Sequence, residues 1–305
     1  MKKITCLFFL AGALFFTPGF AQKEANVWIT GDDYGIDFNY DRFRVFDRKT
    51  FGSNAAATSV SICDKETGDL LFFFDGTNVC DKNFNIMPNG RDIISHSLFG
   101  QHALIVPMPE EPDKYYLFTV KSVAEAPDNG LYYSVIDISL NARSGDVVPG
   151  TKNALLFPEA VEALTGTIHD NGKDFWLTTH ERGTDRFVVF PITTQGVGEP
   201  SFYSFGPVYD PFPRGSDDSY IQISPDRTMM VFNMNISKNI VNQPNEASPL
   251  ELYDFEAGTG VLSNRRVLGA FPNIMTLIFS PDNSKLYMGS YNWDKWPPMY
   301  GLLYQ

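Results

Sequence analysis

Three cysteines in 305 residues exclude a small fold held by a disulfide framework. Cys6 sits in the first, leader-like segment, which leaves Cys63 and Cys80, and neither has a second Cys or a His at zinc-ligand spacing. Those two fall on the first and third strands of one expected meander with a whole strand between them, a poor arrangement for pairing. Basic residues are scarce as well: 24 Lys and Arg stand against 36 Asp and Glu, a net charge of −12. Phosphate binding needs a basic footprint, so nucleic acid is excluded as a partner class. Such acidity serves solubility first. After the leader no apolar run is long enough to cross a bilayer, so no transmembrane segment is expected in the mature chain.

The motifs of chemistry are equally thin. Gly-x-Ser-x-Gly is missing, and no Cys–His pairing for a thiol nucleophile is evident. The acidic run Asp32 to Asp41 lacks the Asp-x-Asp-x-Asp-Gly order and closing Glu of a calcium loop, and Gly31 and Gly35 do not open a strand, turn and helix that would cradle phosphate. No catalytic, cofactor-binding or metal-ligating residue is therefore assigned, and no tightly bound cofactor is expected. Carboxylates gathered from separate blades around a channel stay open, because linear spacing does not report them.

What is present is repetition. Tyr220 to Phe232 returns nearly in register as Thr276 to Met288, each copy an alternating strand, a Ser-Pro-Asp turn and a second strand. Pro225 and Pro281 are 56 residues apart, the interval of a blade that must stack on its neighbours to bury both faces. Further inner hairpins run from Ser59-Val60-Ser61-Ile62-Cys63 through Gly68 to Leu70–Phe74, from Ala103–Pro107 to Tyr115–Val120, and from Leu164–His169 to Phe175–His180. Outer pairs repeat too: Tyr132 to Leu140 leads through Gly145 to Val147, Phe187 to Ile192 through Gly196 to Val197, and Leu250 to Phe255 through Gly260 to Val261. The reading is an all-β propeller of four-stranded antiparallel blades, about five of them visible and the last incomplete, as in a truncation of a larger propeller. Arg42 to Asn54 reads as loop, and Pro158 to Leu164 is the one stretch with helical spacing. Asn26 to Thr30 is a free alternating strand expected to pair with the last strand if the ring closes.

Residues 1–21 read as a signal peptide: Lys2 and Lys3, an apolar run from Leu7 to Phe16, then small residues at Gly19 and Ala21. Residues 22–305 are the propeller domain. The protein is expected in a secreted or extracytoplasmic location, the periplasm or the cell surface.

The motifs Gly35-Ile36-Asp37-Phe38-Asn39, Met87-Pro88-Asn89-Gly90, Ala103–Pro107, Tyr115–Thr119 and Gly130–Asp137, in that order, resemble the N-terminal β-propeller (WD-like repeat) region of Bacteroidetes surface and gliding-associated proteins linked to type IX secretion. The resemblance implies an envelope or surface protein, often a propeller followed by other domains, and brings no established catalytic residues. Cys80 departs from it, standing where that family commonly has a tryptophan.

Candidate contacts are few. His169 and His180 are separated by a turn and most of a strand, which argues against a shared site; His96 and His102 lack a third ligand. His180 with Arg182, and Trp293 with Trp296 in an aromatic segment, are the binding candidates. The expected function is an exported, non-catalytic interaction or scaffold module with a protein or glycan partner at the cell envelope. The alternative is a propeller hydrolase or lyase acting on an envelope or extracellular glycan.

Overall fold

Leu70–Phe74 carries three consecutive phenylalanines, and all three are fully buried. Successive side chains of a strand point to opposite faces, so this strand is covered on both sides. Phe72 and Phe74 enter one core and Phe73 another. Val188, Phe190 and Ile192 face one neighbour, and Phe187 and Val189 the next. Sheets stacked face to face explain these patterns.

The computed structural model describes residues 23–30, 34–47, 59–95, 101–121, 129–208, 219–234, 248–271, 274–291 and 301–304. They form six antiparallel sheets in chain order. The first holds β1 (Val27–Thr30), β2 (Tyr34–Asp37) and β3 (Arg44–Asp47), and the second β4 (Val60–Cys63), β5 (Leu70–Phe74) and β6 (Val79–Asp81). The third holds β7 (Ala103–Pro107), β8 (Lys114–Lys121), β9 (Gly130–Asp137) and β10 (Asp146–Val147), with β11 (Ala154–Phe157) also on β9. The fourth holds β12 (Thr165–Ile168), β13 (Phe175–His180), β14 (Arg186–Thr193) and β15 (Gly196–Val197), with β16 (Ser201–Ser204) also on β14. The fifth is β17 (Ser219–Ile223), β18 (Met229–Met234), β19 (Ser248–Glu256) and β20 (Val261–Phe271), and the sixth β21 (Ile274–Phe279), β22 (Leu286–Tyr291) and β23 (Gly301–Tyr304).

The first strand of each sheet packs beside the first strand of the next, from β1 to β4, β7, β12, β17 and β21. One apolar core fills each of the five intervals. This is a β-propeller. Side chains also stitch the inner edges: Ser61 Oγ donates to Val27 O at 2.5 Å, Ile221 N to Gln101 Oε1 at 3.1 Å, and Phe279 N to Gln222 Oε1 at 3.2 Å.

The two Ser-Pro-Asp turns are built alike. Ser224 and Ser280 each donate from Oγ to the aspartate two residues on at 2.6 Å, and accept the backbone N–H five residues on at 2.9 Å. Arg227 and Asn283 take the left-handed conformation that closes each bend. Hydroxyl donors from Ser280 and Ser284, with the Ser284 N–H, hold the Asp282 carboxyl down from 3.8 to about 2. A folded pKa below the unfolded one means that this stabilisation is present above pH ~4 and disappears as pH falls through ~2. An NMR titration of the folded chain should therefore give Asp282 a midpoint near 2. Ser280→Ala should raise it, and a wild-type midpoint at 3.8 would contradict the turn geometry.

Several elements differ from the sequence reading. A three-stranded first sheet precedes the five expected units, and Arg44–Asp47, expected as loop, is its third strand. β1 pairs with β2, Val27 opposite Asp37, and β23 pairs with β22, so the N-terminal strand belongs to its own sheet. Its role is lateral: Val27 and Ile29 pack on Cys63 and Phe73. Pro158 to Leu164 is not helical. Ala160 bridges Glu181, Ala163 bridges Gln101, and Val161 N donates to His180 O at 3.0 Å, so the helical spacing of its apolar residues reflects a crossing between two sheets. Cys63 and Cys80 are not joined in a disulfide, and both are buried in one core.

Candidate binding cleft at the turn face

In each sheet from the second on, a turn joins the first strand to the second, and these turns gather at one end of the molecule. Consecutive turns are linked laterally. Lys173 Nζ meets Glu110 Oε1 at 3.3 Å, Arg227 Nη1 meets Asp170 Oδ1 at 3.3 Å, and Asp226 N donates to Asn283 Oδ1 at 3.1 Å. Between the turns of the second and third sheets lies instead a cavity of about 610 Å³. That volume falls in the range of small-ligand sites.

One wall is the Pro107-Met108-Pro109 and Pro112 segment, whose prolines fix the backbone of the β7–β8 turn. The opposite wall is Cys63, Asp64 and Lys65, with Glu24 above. Asp64 accepts the N–H groups of Glu66 at 2.9 Å and Thr67 at 2.8 Å, which lowers its pKa. Gly68 ends this turn at φ 83°, and a Cβ there would strike Asn39 Oδ1 at 2.1 Å, so the glycine is required where the first sheet closes onto the turn.

Tyr115 forms the floor. It is 9 % exposed, its ring meets Phe72 edge-on at 5.3 Å, and its hydroxyl has no hydrogen-bond partner among the described residues. Burial first, then the carboxylates of Asp64, Asp113 and Glu24, push the phenol up to about 12, so it stays protonated at any physiological pH. Arg143 reaches the rim and pairs with Asp113 at 3.3 Å. It stands at the end of three consecutive residues, Asn141, Ala142 and Arg143, at φ 49°, 54° and 65°, a backbone that L-residues adopt only at a cost.

Of the residues singled out in the sequence, His169, His180 and Arg182 do not line the cleft. His180 is at the far end of β13 from Phe175, which lines the cleft, about 17 Å along the strand. It is fully buried, stacked on Phe232 at 5.1 Å and edge-on to Phe187 at 4.8 Å. Arg182, two residues on, is half-buried and donates its backbone N–H to Glu159 O at 2.8 Å. His169 accepts the Asn171 N–H at Nδ1, 2.9 Å, and stacks on Trp176, so the two histidines occupy separate environments. Trp293, Trp296 and His96 lie outside the described residues. Among the described residues no three of His, Cys, Asp and Glu converge to hold a metal ion, and no helix is long and apolar enough to cross a membrane.

No protein-family model and no curated protein matches the chain. Solved structures do. A 6-phosphogluconolactonase-like protein of Bacteroides fragilis aligns over 92 % of each chain at 11 % identity and a TM-score of 0.46. An endo-arabinase of Bacteroides thetaiotaomicron aligns over 91 % of this chain and 92 % of its own at 14 % identity and 0.40. An auxiliary nutrient binding protein of Bacteroides thetaiotaomicron aligns over 76 % of this chain and 52 % of its own, at 10 % and 0.40. At these values the likenesses carry no functional argument.

Proposed function

We propose that the chain is an exported, non-catalytic propeller module that binds a partner at the bacterial envelope, using the cleft between the second and third sheets. The observation that carries this is the engagement of the cleft's carboxylates. Asp113 pairs with Arg143, Glu110 with Lys173 and Glu111 with Lys114, while Asp64 is held by two backbone N–H groups. A general acid needs a carboxyl with a raised pKa and a free proton position, and Asp64 is shifted the other way. Groups fixed in ion pairs at a rim give orientation and specificity instead.

The signal-like segment 1–21 supports export, and the resemblance to Bacteroidetes surface and gliding-associated proteins supports the envelope. The test has two parts. Cell fractionation with intact-mass measurement should find the chain outside the cytoplasm, beginning near Gln22. Incubation of that mature chain with envelope polysaccharide should release no new reducing or unsaturated ends. Turnover abolished by Asp64→Asn or Asp113→Asn would replace this reading with the hydrolase or lyase alternative.

A further inference from the structure

Six sheets in a row have five intervals between them, and an apolar core fills each. Among the described residues no further core joins the sixth sheet to the first. The outward face of the first sheet is thus open where every other interval of the stack is packed. Register shows what it carries. Val27 and Ile29 point inward onto Cys63 and Phe73, and Phe46 covers Gly35, where a Cβ would meet its ring at 2.2 Å. The alternate residues make the other face, with Trp28, Ile36 and Val45 in one row across the three strands and Tyr34 in the next. Phe38 joins them through an edge contact with Trp28 at 4.9 Å, and Phe43 lies 6.3 Å from Phe38.

Trp28, Tyr34, Phe38, Phe43 and Val45 are 40 to 62 % exposed. Covering them would remove roughly 450 Å² of apolar surface from water, the size of patch that marks an interaction site. The rings are set at 63° and 47° to one another, so they offer no flat platform for a sugar ring and suit the uneven surface of another sheet. The sixth sheet's outward face is a poor match, because it presents Ile278 as its one exposed large apolar side chain among the described residues. Like on like fits better. Two copies of the aromatic face bury about 900 Å² between them, and the flanking polar residues bring this to the ~1,000 Å² that a specific interface needs.

Charge favours the same occupant. Two chains of net charge −12 repel, so a face they share has to be locally balanced. Next to Phe43 stand Asp41 and Arg42, both exposed and in no ion pair among the described residues. A two-fold interface brings each residue of one copy to its complement on the other, and adjacent opposite charges supply two reciprocal pairs. We propose that two copies of this chain associate through the outward face of the first sheet, one sheet laid on the other about a two-fold axis. This contact lies apart from the cleft and does not depend on the function proposed for it.

Sedimentation velocity of the mature chain from about 1 to 200 µM tests it, with a reversible monomer–dimer equilibrium expected at a Kd of about 10 µM. Val45 is exposed, so Val45→Glu should leave the urea midpoint unchanged while setting like charges into the contact and weakening the dimer at least tenfold. Asp41→Arg and Arg42→Asp should each weaken it, and an equimolar mixture of those two variants should associate again, because each then meets the opposite charge. Ile278→Glu, on the sixth sheet, should change nothing. A wild-type chain that stays monomeric at 200 µM would overturn the proposal and leave the face to a different protein. So would a mixture of the two charge variants that stays monomeric. An open-ended series of oligomers, or association lost in Ile278→Glu, would replace the two-fold contact with head-to-tail stacking of the sixth sheet on the first.

Discussion

Between pH 6.5 and pH 4 the folded chain should lose about 3 kcal/mol of stability through one side chain, His180. Its imidazole lies wholly within the core between the fourth and fifth sheets, in face contact with Phe232 and edge contact with Phe187. Burial pushes its pKa down from 6.5 to about 4, against a backbone hydrogen bond at Glu181 and the charge of Asp185. With the folded value below the unfolded one, the unfolded chain binds the extra proton first. Stability is therefore unaffected above pH ~6.5 and falls progressively to pH ~4. Urea unfolding at pH 7, 5.5 and 4.2 measures the slope. His180→Phe retains an aromatic ring on Phe232 and should flatten the profile over that window, because the aspartates with lowered pKa titrate below it. A wild-type profile already flat from pH 7 to 4 would show that the ring is solvated. In the folded chain His180 is a neutral core residue, and contact with a ligand would require two sheets to part.

The blades were legible because they are written locally. Each inner hairpin is a continuous stretch with period-two apolar residues and a turn whose chemistry is visible in three letters, Ser224-Pro225-Asp226 or Ser280-Pro281-Asp282. The first sheet was half legible, since Arg44-Val45-Phe46-Asp47 leaves Arg44 and Val45 exposed and lacks an apolar signal. The segment from Ala160 to Leu164 misled because buried residues at a crossing mimic helical spacing. The cleft could not be read at all. Its residues come from positions 24, 64, 113, 115, 143 and 173, brought together only by the order in which the sheets stack. The backbone that delivers Arg143 uses left-handed Asn, Ala and Arg instead of the glycine that would have announced it. The unpartnered hydroxyl of Tyr115 had no sequence signal, because the residue alternates like any core tyrosine of β8.

Removing Arg265 should destabilise the chain by about 3–5 kcal/mol, as breaking one side of a buried ion pair does. Glu251 on β19 is fully buried, accepts from Arg265 Nε at 3.0 Å and from Arg265 Nη2, and also accepts the Tyr253 hydroxyl at 2.5 Å. A bulge makes this possible. Leu252 faces Arg266 and Asp254 faces Ser263, so three steps on β20 answer two on β19, and the consecutive arginines reach different acceptors: Arg265 the buried Glu251, Arg266 the exposed Asp254. Arg265→Ala strands a carboxylate where water does not reach, so the loss should far exceed that of Arg266→Ala, about 1 kcal/mol or less for an exposed pair. The double variant Glu251→Gln with Arg265→Met should recover most of the loss, because the glutamine still accepts from Tyr253 and no charge remains buried. Urea unfolding with an unchanged denaturant slope is the measurement. Equal small losses for both single arginine variants would mean that water reaches Glu251, and the double variant would then show no recovery.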